Sequence, residues 1–255
     1  MNQSIVLMWL RTVCFYVLGT LSLILHIPVL LISFTRPLER RYYRLFSFGR
    51  SILWLARHVT GIRYEVQGLD QVPKEGGSVV LPKHQSTWET MFLPTILRLA
   101  AFVLKRELLR IPIFGQGLQG IEAIAIDRAA GRQALEQIME KGAAALAQGR
   151  DVVIFPEGTR TRPGARPHYR IGGAKLAVHA KATVIPVAID SGCLWPKEGF
   201  LMRPGTIHVV FGPPIETEGR TASEVNAIVQ DWIETKQEEL YQRYGCPNRL
   251  PDTAR

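Results

Sequence analysis

Cysteine is scarce in this chain of 255 residues. Cys14, Cys193 and Cys246 are the only three, and no two of them have the C-x-x-C spacing. An odd number without such a pair argues against a disulfide framework and a zinc site, and it favours a reducing compartment. The chain also lacks the G-x-S-x-G turn of serine hydrolases and an Asp/His-rich set of metal ligands. These absences argue against a serine-dependent α/β-hydrolase and against metal-dependent chemistry.

Acidic residues and lysine are nearly missing from the first sixty residues. This quarter holds seven arginines, no lysine and one acid, Glu39, so seven positive charges less one negative charge contribute +6 to the formal net charge of +9. Such asymmetry points to a polyanionic surface, either a membrane or a nucleic acid. The hydrophobicity of the same quarter decides between the two.

An uncharged run of 23 residues extends over 12–34, and about 20 apolar residues suffice to cross the hydrocarbon core of a bilayer. Four arginines follow it at once: Arg36, Arg40, Arg41 and Arg44. By the positive-inside rule they put the following domain in the cytoplasm. The run is too long for a typical signal peptide, and no small-residue cleavage site precedes the arginines. We therefore expect a membrane anchor, with membrane lipids as partners and no nucleic acid.

The sequence leaves two arrangements of this anchor open. His26 and Pro28 interrupt the run, and a second stretch, 42–59, mixes arginines with apolar residues. Four of its apolar residues recur at helical spacing: Leu45, Phe48, Ile52 and Leu55. This pattern is typical of an interfacial helix on anionic lipid, and a helix that packs on the protein core is the alternative. A transmembrane span and a helical hairpin in one leaflet fit the sequence equally well.

After Gly61 short apolar runs alternate with helical stretches. Seven strands are predicted, at 63–66, 78–81, 102–104, 123–126, 152–155, 184–189 and 207–211. Four helices are predicted, at 87–98, 130–148, 173–181 and 223–244. The alternation predicts an α/β fold in which a largely parallel, mixed sheet of about seven strands is flanked by helices. The predicted organisation is membrane-anchoring helices at 1–60, an α/β domain at 61–245 and an irregular tail at 246–255.

A histidine and a carboxylate follow the second predicted strand at an offset of five residues. His84 comes directly after the strand and Pro82, and Glu89 lies near the start of the next helix. Residues five apart on an ideal helix are separated by about 140°, so the pair meets only if His84 lies in the turn and Glu89 points back. Glu89 would then fix one ring nitrogen and leave the other as a general base. A surface histidine is the alternative for so short a motif.

The block Phe155-Pro156-Glu157-Gly158-Thr159-Arg160 ends the fifth predicted strand. Its turn places Glu157 and Arg160 beyond the carboxyl end of the strand, at the edge predicted for His84. The planar guanidinium of arginine suits phosphate oxygens. A surface ion pair between Glu157 and Arg160 is the alternative.

Two further cations are predicted at the same edge. Lys105 follows the third strand, in a block at 103–115 that mixes cations with apolar residues, and Arg128 follows the fourth strand. A solvated basic face would explain each cation by itself, but four strand ends that bring His, Lys, Arg and Glu to one edge indicate a base beside an anion clamp. The G-x-G-x-x-G spacing at 115–120 does not directly follow a strand, so it does not indicate a dinucleotide site.

These blocks resemble those of the membrane-associated glycerolipid acyltransferases, specifically the 1-acyl-sn-glycerol-3-phosphate acyltransferases. They occur in the family's order, as His84 with Glu89, then 105–115, 155–160 and 184–187. The first family block is normally N-H-x4-D, so this chain departs from it at Lys83 and at Glu89. The resemblance implies an acyltransferase domain at 61–245 that needs no cofactor and no metal.

The resemblance also implies a role for each block. His84 would deprotonate the 2-hydroxyl of lysophosphatidate, and Glu89 would orient the imidazole. The hydroxyl oxygen would attack the thioester of acyl-CoA or acyl-carrier protein and give phosphatidate, in phospholipid synthesis. Six residues would bind the glycerol phosphate: Lys105, Arg128, Glu157, Gly158, Thr159 and Arg160.

Two other kinds of function fit the same residues. The first is a hydrolase or phosphoesterase in which His84, Glu89 and Glu157 bind a cation. The second is a non-catalytic binder of anionic lipid that uses the basic N-terminus. Within the acyltransferases, glycerol 3-phosphate and other lysolipids are alternative acceptors. Replacement of His84 separates an enzyme from a lipid binder, and sensitivity to a chelator separates the two kinds of enzyme.

Overall fold

A computed structural model describes residues 5–250 of the chain. Seven strands form one sheet in the order β1-β7-β6-β2-β5-β3-β4. They are β1 Ile62–Gln67, β2 Val79–Pro82, β3 Ala101–Lys105, β4 Ile124–Ile126, β5 Val152–Val153, β6 Val184–Ile189 and β7 Gly205–Phe211. Neighbouring strands run parallel except β6 and β7, which are antiparallel. Five parallel strands therefore end at one edge, where the site residues follow.

Helices cover both faces of the sheet. They are α1 Ile5–Ser33, α2 Leu38–Leu45, α3 Ser47–Leu55, α4 Trp88–Ile96, α5 Phe114–Gly120, α6 Arg132–Ala147, α7 Gly172–Ala180 and α8 Ala222–Tyr244. One core cluster joins the sheet to α1, α3 and α4, and a second joins its other face to α6, α7 and α8. The central strands are apolar on both sides, as expected for a parallel sheet covered by helices on both faces.

The predicted α/β fold is confirmed. All seven strands and all four helices predicted after Gly61 are present, with ends within two residues of those expected. The glycine-rich stretch at 115–120 was not predicted to be regular, and it forms most of α5. Its glycines allow close packing, because a Cβ at Gly115 would lie 2.1 Å from the carbonyl oxygen of Leu109.

The N-terminal run forms a single helix, α1, which continues through Pro28. By length and composition α1 could cross a membrane. Its N-terminal half nevertheless touches the domain, where Thr12 Oγ1 accepts a hydrogen bond from the backbone N–H of Met202 and Phe15 packs edge-on against Trp195. Near its other end Leu30 lies beside Gly117 of α5. The helix thus lies along the domain over most of its length of about 43 Å.

The second N-terminal stretch packs on the protein core. Ile52 and Leu55 are buried in the cluster that α3 shares with the sheet, whereas Arg50 and Arg57 are exposed. The expectation that this apolar stripe forms an interfacial helix is therefore corrected in favour of core packing. The N-terminal helices share a core with the α/β domain, and the domain boundary near residue 60 stays a prediction.

The expected absence of disulfides is wrong, since Cys193 and Cys246 are joined by one. They are 53 residues apart in sequence, and only the fold brings the end of α8 next to the turn after β6. Cys14 is a free, exposed thiol. From Cys246 to Leu250 the chain has no helix or strand, as predicted for the tail, and the rest of that predicted tail, 251–255, lies outside the described residues.

Tyr42 tests the attachment of the N-terminal helices. It is fully buried, and its hydroxyl accepts a hydrogen bond of 3.2 Å from the backbone N–H of Ala100. Replacing Tyr42 with Phe leaves this buried N–H without a partner, and we expect the free energy of unfolding to fall by about 1–3 kcal/mol. The measurement is denaturant unfolding in detergent.

The neighbouring Tyr43 provides a matched control, because it lies on the same helix and is 42% exposed. The Tyr43→Phe variant should stay within about 0.5 kcal/mol of the wild type. Equal stability of the two variants would show that Tyr42 does not hold α2 to the domain.

Candidate active site

The predicted site residues come together at the carboxyl edge of the sheet. His84 follows β2, Lys105 ends β3, Arg128 follows β4, and the block 155–160 follows β5. In the sheet β2 pairs with β5, β5 with β3, and β3 with β4, all in parallel. Residues that lie far apart in sequence are therefore neighbours at one edge, where α/β proteins bind ligands.

His84 and Glu89 form the predicted pair. Helix α4 begins at Trp88, so Glu89 lies in its first turn and points back to His84 in the preceding loop. His84 Nδ1 is 2.9 Å from Glu89 Oε1, and the imidazole stacks on Phe155 with ring centroids 3.9 Å apart. The bond to a carboxylate assigns the proton to Nδ1 and leaves Nε2 available as a base.

The Glu89 carboxylate is itself held by several donors. Oε1 accepts bonds from the backbone N–H groups of Gln85 and Ser86, at 2.6 and 2.7 Å, and Oε2 accepts one of 2.7 Å from Ser191 Oγ. Burial alone would raise the pKa of Glu89, but the bond from His84, its charge and the bonds from Ser86 and Ser191 outweigh burial and lower it. Glu89 is thus kept ionised, as an orienting carboxylate must be. Sequence analysis missed Ser191, which follows β6 without any motif.

Glu157 lies inside the protein and does not line the cavity at His84, and its contact with substrate stays a prediction. Its side chain is fully buried and Oε1 accepts a 3.0 Å hydrogen bond from the backbone N–H of His84. Burial raises the pKa of Glu157 to about 7, opposed by the charge of Lys83 at 3.7 Å. The alternative of a surface ion pair between Glu157 and Arg160 is wrong, because Glu157 is buried. Its carboxylate holds the loop that carries the base.

The other residues of the block divide between structural and cavity positions. Gly158 has φ of +70°, and its carbonyl accepts a hydrogen bond from Arg128 Nη1. Thr159 is exposed and does not line the cavity at His84. Arg160 does line that cavity and donates a 2.9 Å bond to Thr87 Oγ1. Of this block, Phe155 and Arg160 line the cavity, and the substrate contacts of Gly158 and Thr159 stay predictions.

A cavity of about 380 Å³ opens at His84. Its polar end holds the imidazole together with the cations Lys105, Arg128 and Arg160. Its apolar wall is formed largely by the N-terminal helices and α5, through residues that include Leu23, Leu30, Phe48, Phe114 and Leu118. Burial lowers the pKa of Arg128, and the nearby charge of Arg170 lowers it further. An anionic group of a ligand would relieve the repulsion between Arg128 and Arg170. The cavity therefore suits a ligand with an anionic head and an apolar chain.

The arrangement of these side chains limits the chemistry that the site can carry out. An imidazole oriented by a buried carboxylate can take a proton from a hydroxyl group or a water molecule. Cations beside it can neutralise a phosphate, and the apolar wall can bind a hydrocarbon chain. Such a site has the chemistry expected of the class of enzymes that use a histidine base on an amphipathic anion.

Comparison with known proteins identifies the family. The family model described as Acyltransferase matches residues 63–190. The chain is 42% identical over 243 residues to a 1-acyl-sn-glycerol-3-phosphate acyltransferase of Pseudomonas aeruginosa, with 91% of each chain covered. It is also 32% identical over 182 residues to 1-acyl-sn-glycerol-3-phosphate acyltransferase alpha of Mus musculus, covering 70% of this chain and 64% of that protein. The chain belongs to the acyltransferase family.

A solved structure has the same fold. The crystal structure of the 1-acyl-sn-glycerophosphate acyltransferase from Thermotoga maritima matches with a TM-score of 0.77 over 92% of this chain and 97% of that one. At 24% sequence identity this match supports the fold alone. Because the match covers 92% of this chain, the uncovered part is shorter than the N-terminal helices, and the match includes at least part of them.

The raised pKa of Glu157 predicts a pH dependence of stability. The carboxyl group titrates near 4.5 when unfolded and near 7 in the folded protein. Between these values the folded state keeps a proton that the unfolded state has released, so this stabilising contribution is lost as pH rises towards 7. In the Glu157→Gln variant the contribution is absent, and its free energy of unfolding relative to the wild type should therefore increase from pH 4.5 to pH 7.5.

The measurement is denaturant unfolding of both proteins over this pH range. Glu140→Gln, at an exposed position on α6, is the control and should follow the wild-type curve. Parallel curves for the wild type and Glu157→Gln would contradict the raised pKa.

Proposed function

We propose that this protein transfers a fatty acyl group from acyl-CoA or acyl-carrier protein to the 2-hydroxyl of lysophosphatidate, which gives phosphatidate for phospholipid synthesis. The observation that carries the proposal is the His84–Glu89 pair at the cationic end of an apolar cavity. The names of the relatives support the same acceptor. Arg160, Lys105 and Arg128 would contact its phosphate.

The reaction follows from the orientation of the imidazole. His84 Nε2 takes the proton of the 2-hydroxyl as its oxygen attacks the thioester carbonyl. The tetrahedral intermediate collapses with cleavage of the C–S bond, and the imidazolium returns the proton to the leaving thiolate. Glu89 stabilises the imidazolium and keeps Nδ1 protonated. No metal and no cofactor enters these steps, because the thioester is already an activated acyl donor.

Acyl transfer by the purified protein in detergent tests this proposal. With lysophosphatidate and either donor, the wild type should form phosphatidate in the presence of EDTA. The His84→Ala variant should lose a factor of about 10² or more in kcat, since it lacks the base. His179→Ala, an exposed position on α7, is the control and should keep full activity.

Each other outcome rejects a stated part of the proposal. Activity retained by His84→Ala would reject the mechanism, and loss of activity with EDTA would favour the metal-dependent phosphoesterase. Product formed only with glycerol 3-phosphate or another lysolipid would change the acceptor. Membrane binding without any product would favour a lipid-binding protein.

We also propose that the protein is bound to the membrane through the outer face of α1, with the catalytic domain on the cytoplasmic side. The side chains on this face are apolar and exposed, among them Ile24 at 54% and Leu25 at 75%. Because both halves of α1 contact the domain, a position within one leaflet fits better than a span. The arginines that follow α1 favour the cytoplasmic side.

Acidic substitutions on α1 test the membrane contact. Burial of an Ile or Leu side chain is worth about 1.5–3 kcal/mol, so Ile24→Asp/Leu25→Asp should bind anionic lipid vesicles at least about tenfold more weakly. Ala227→Asp/Thr235→Asp on the exposed side of α8 adds the same charge and should bind as the wild type does. Equal vesicle binding by both double variants would reject α1 as the contact.

A further inference from the structure

A buried ion cluster lies behind the loop that carries His84, and acyl transfer leaves it without a role. The Lys83 side chain is only 1% exposed, and its Nζ lies 2.5 Å from Glu234 Oε1 and 3.7 Å from Glu157 Oε1. The hydroxyl of Tyr169 donates a 2.8 Å hydrogen bond to the same oxygen of Glu234. Lysine and glutamate are almost never fully buried unless they are paired.

The cluster contains one ammonium group and two carboxylates. Glu157 uses its Oε1 to hold the backbone N–H of His84. Glu234 supplies the closer contact to Lys83, so the ammonium is drawn towards α8 and away from Glu157. If Glu234 lost its charge, Lys83 would be left with Glu157 as its remaining counter-ion. The charge of Glu234 would therefore affect the hydrogen bond between Glu157 Oε1 and the backbone N–H of His84, because both carboxyl groups contact Lys83.

Helix α8 holds both neighbours of His84 in sequence. Glu234 binds Lys83, and Tyr241 accepts a 2.5 Å hydrogen bond from Gln85 Nε2. Gln237, between them on the helix, donates to the Tyr241 hydroxyl and to the backbone carbonyl of Ile189 at the end of β6. The α8 residues of these contacts lie outside the region matched by the family model, which ends at residue 190.

We propose that Glu234 is a positioning residue, which fixes the general base His84 through its ion pair with Lys83. The inference rests on the proposed function, because it assigns α8 a part in the same reaction. In the acyltransferase family the residue before the motif histidine is normally asparagine, where this chain has Lys83. A neutral side chain at this position needs no counter-charge. The lysine of this chain and the carboxylate on α8 thus form one unit.

A double-mutant cycle tests this pairing. The variants are Lys83→Met, Glu234→Gln and the double substitution, compared by acyl transfer to lysophosphatidate and by thermal unfolding. Lys83→Met leaves the buried Glu234 without its cation, and Glu234→Gln leaves Lys83 with the more distant Glu157. We expect kcat of each single variant to fall by about tenfold or more. The double variant removes both charges, and we expect it to regain most of the lost kcat. The KM for the acceptor should stay the same, since neither side chain lines the cavity.

The pH dependence of kcat/KM distinguishes positioning and electrostatic coupling from a general loss of folded protein. The charged groups around the imidazole are Glu89, Lys83, Glu157 and Glu234 on the buried side. On the cavity side they are Arg44, Lys105, Arg128 and Arg160, and the titratable His26 lines the same cavity. Removal of the Lys83 cation favours the imidazolium and should move the acidic limb of the profile to higher pH. Removal of the Glu234 carboxylate should move it to lower pH, and the double variant should lie between. A smaller folded fraction alone would lower the profile without moving it.

Glu239→Gln provides the control, since Glu239 lies on α8 and pairs with Lys236 on the surface. It should leave kcat and the pH profile unchanged. A double variant as impaired as the single variants, or single variants with unchanged kcat and profile, would overturn the proposal. A single variant that does not fold beside a double variant that folds would support the pairing.

Failure of this inference can be told from failure of the proposed function. In the first case the wild type still acylates lysophosphatidate. In the second case the wild type does not acylate lysophosphatidate. Non-additive changes in the thermal unfolding midpoints of the variants then show whether Lys83 and Glu234 act as a pair.

Discussion

The segment that follows β5 binds both the backbone N–H and the backbone carbonyl of His84, and the position of His84 depends on these contacts. Its N–H donates to Glu157, and its carbonyl accepts bonds from the backbone N–H and the hydroxyl of Thr161, at 2.8 and 3.1 Å. The contact is possible because β2 and β5 are adjacent parallel strands. Two segments joined by contacts between residues 73 apart in sequence therefore form a single structural unit. The second segment holds the backbone of His84, and Phe155 stacks on its imidazole.

Acidic and basic side chains lie on opposite sides of His84. The carboxylates of Glu89 and Glu157 face the protein interior, where each accepts hydrogen bonds from the backbone around His84. The cations Arg160 and Arg128 face the cavity, where they bond to neutral oxygens. A carboxylate in the cavity would pair with these cations and compete with an anionic ligand. Keeping the acids behind the base leaves the cations available and still gives the imidazole its counter-charge.

The sequence predicted the parts of this protein that depend on local pattern. Strand ends follow from apolar runs and turn residues, and the back-pointing Glu89 follows from helical geometry and a five-residue offset. The direction of Glu157 could not be predicted, because the same turn could present it outward or inward, and only packing decides. Ser191 and Glu234 carry no motif and reach the site from the turn after β6 and from α8. The disulfide between Cys193 and Cys246 depends likewise on a contact between distant segments.

The N-terminal helices show how one segment can meet two physical demands. The apolar run of α1 was expected to anchor the protein in the membrane, as a span or as a hairpin in one leaflet. In the structure one side of α1 packs against the domain and lines the cavity at Leu23 and Leu30. The other side stays exposed and apolar. If α1 contacts the membrane as proposed, His84, which lines a cavity walled by that helix, would lie close to an amphipathic acceptor in the bilayer. An acceptor with a chain in the bilayer could then reach His84 by moving along α1, without exposing that chain to water, which would cost about 0.8 kcal/mol for each CH₂ group.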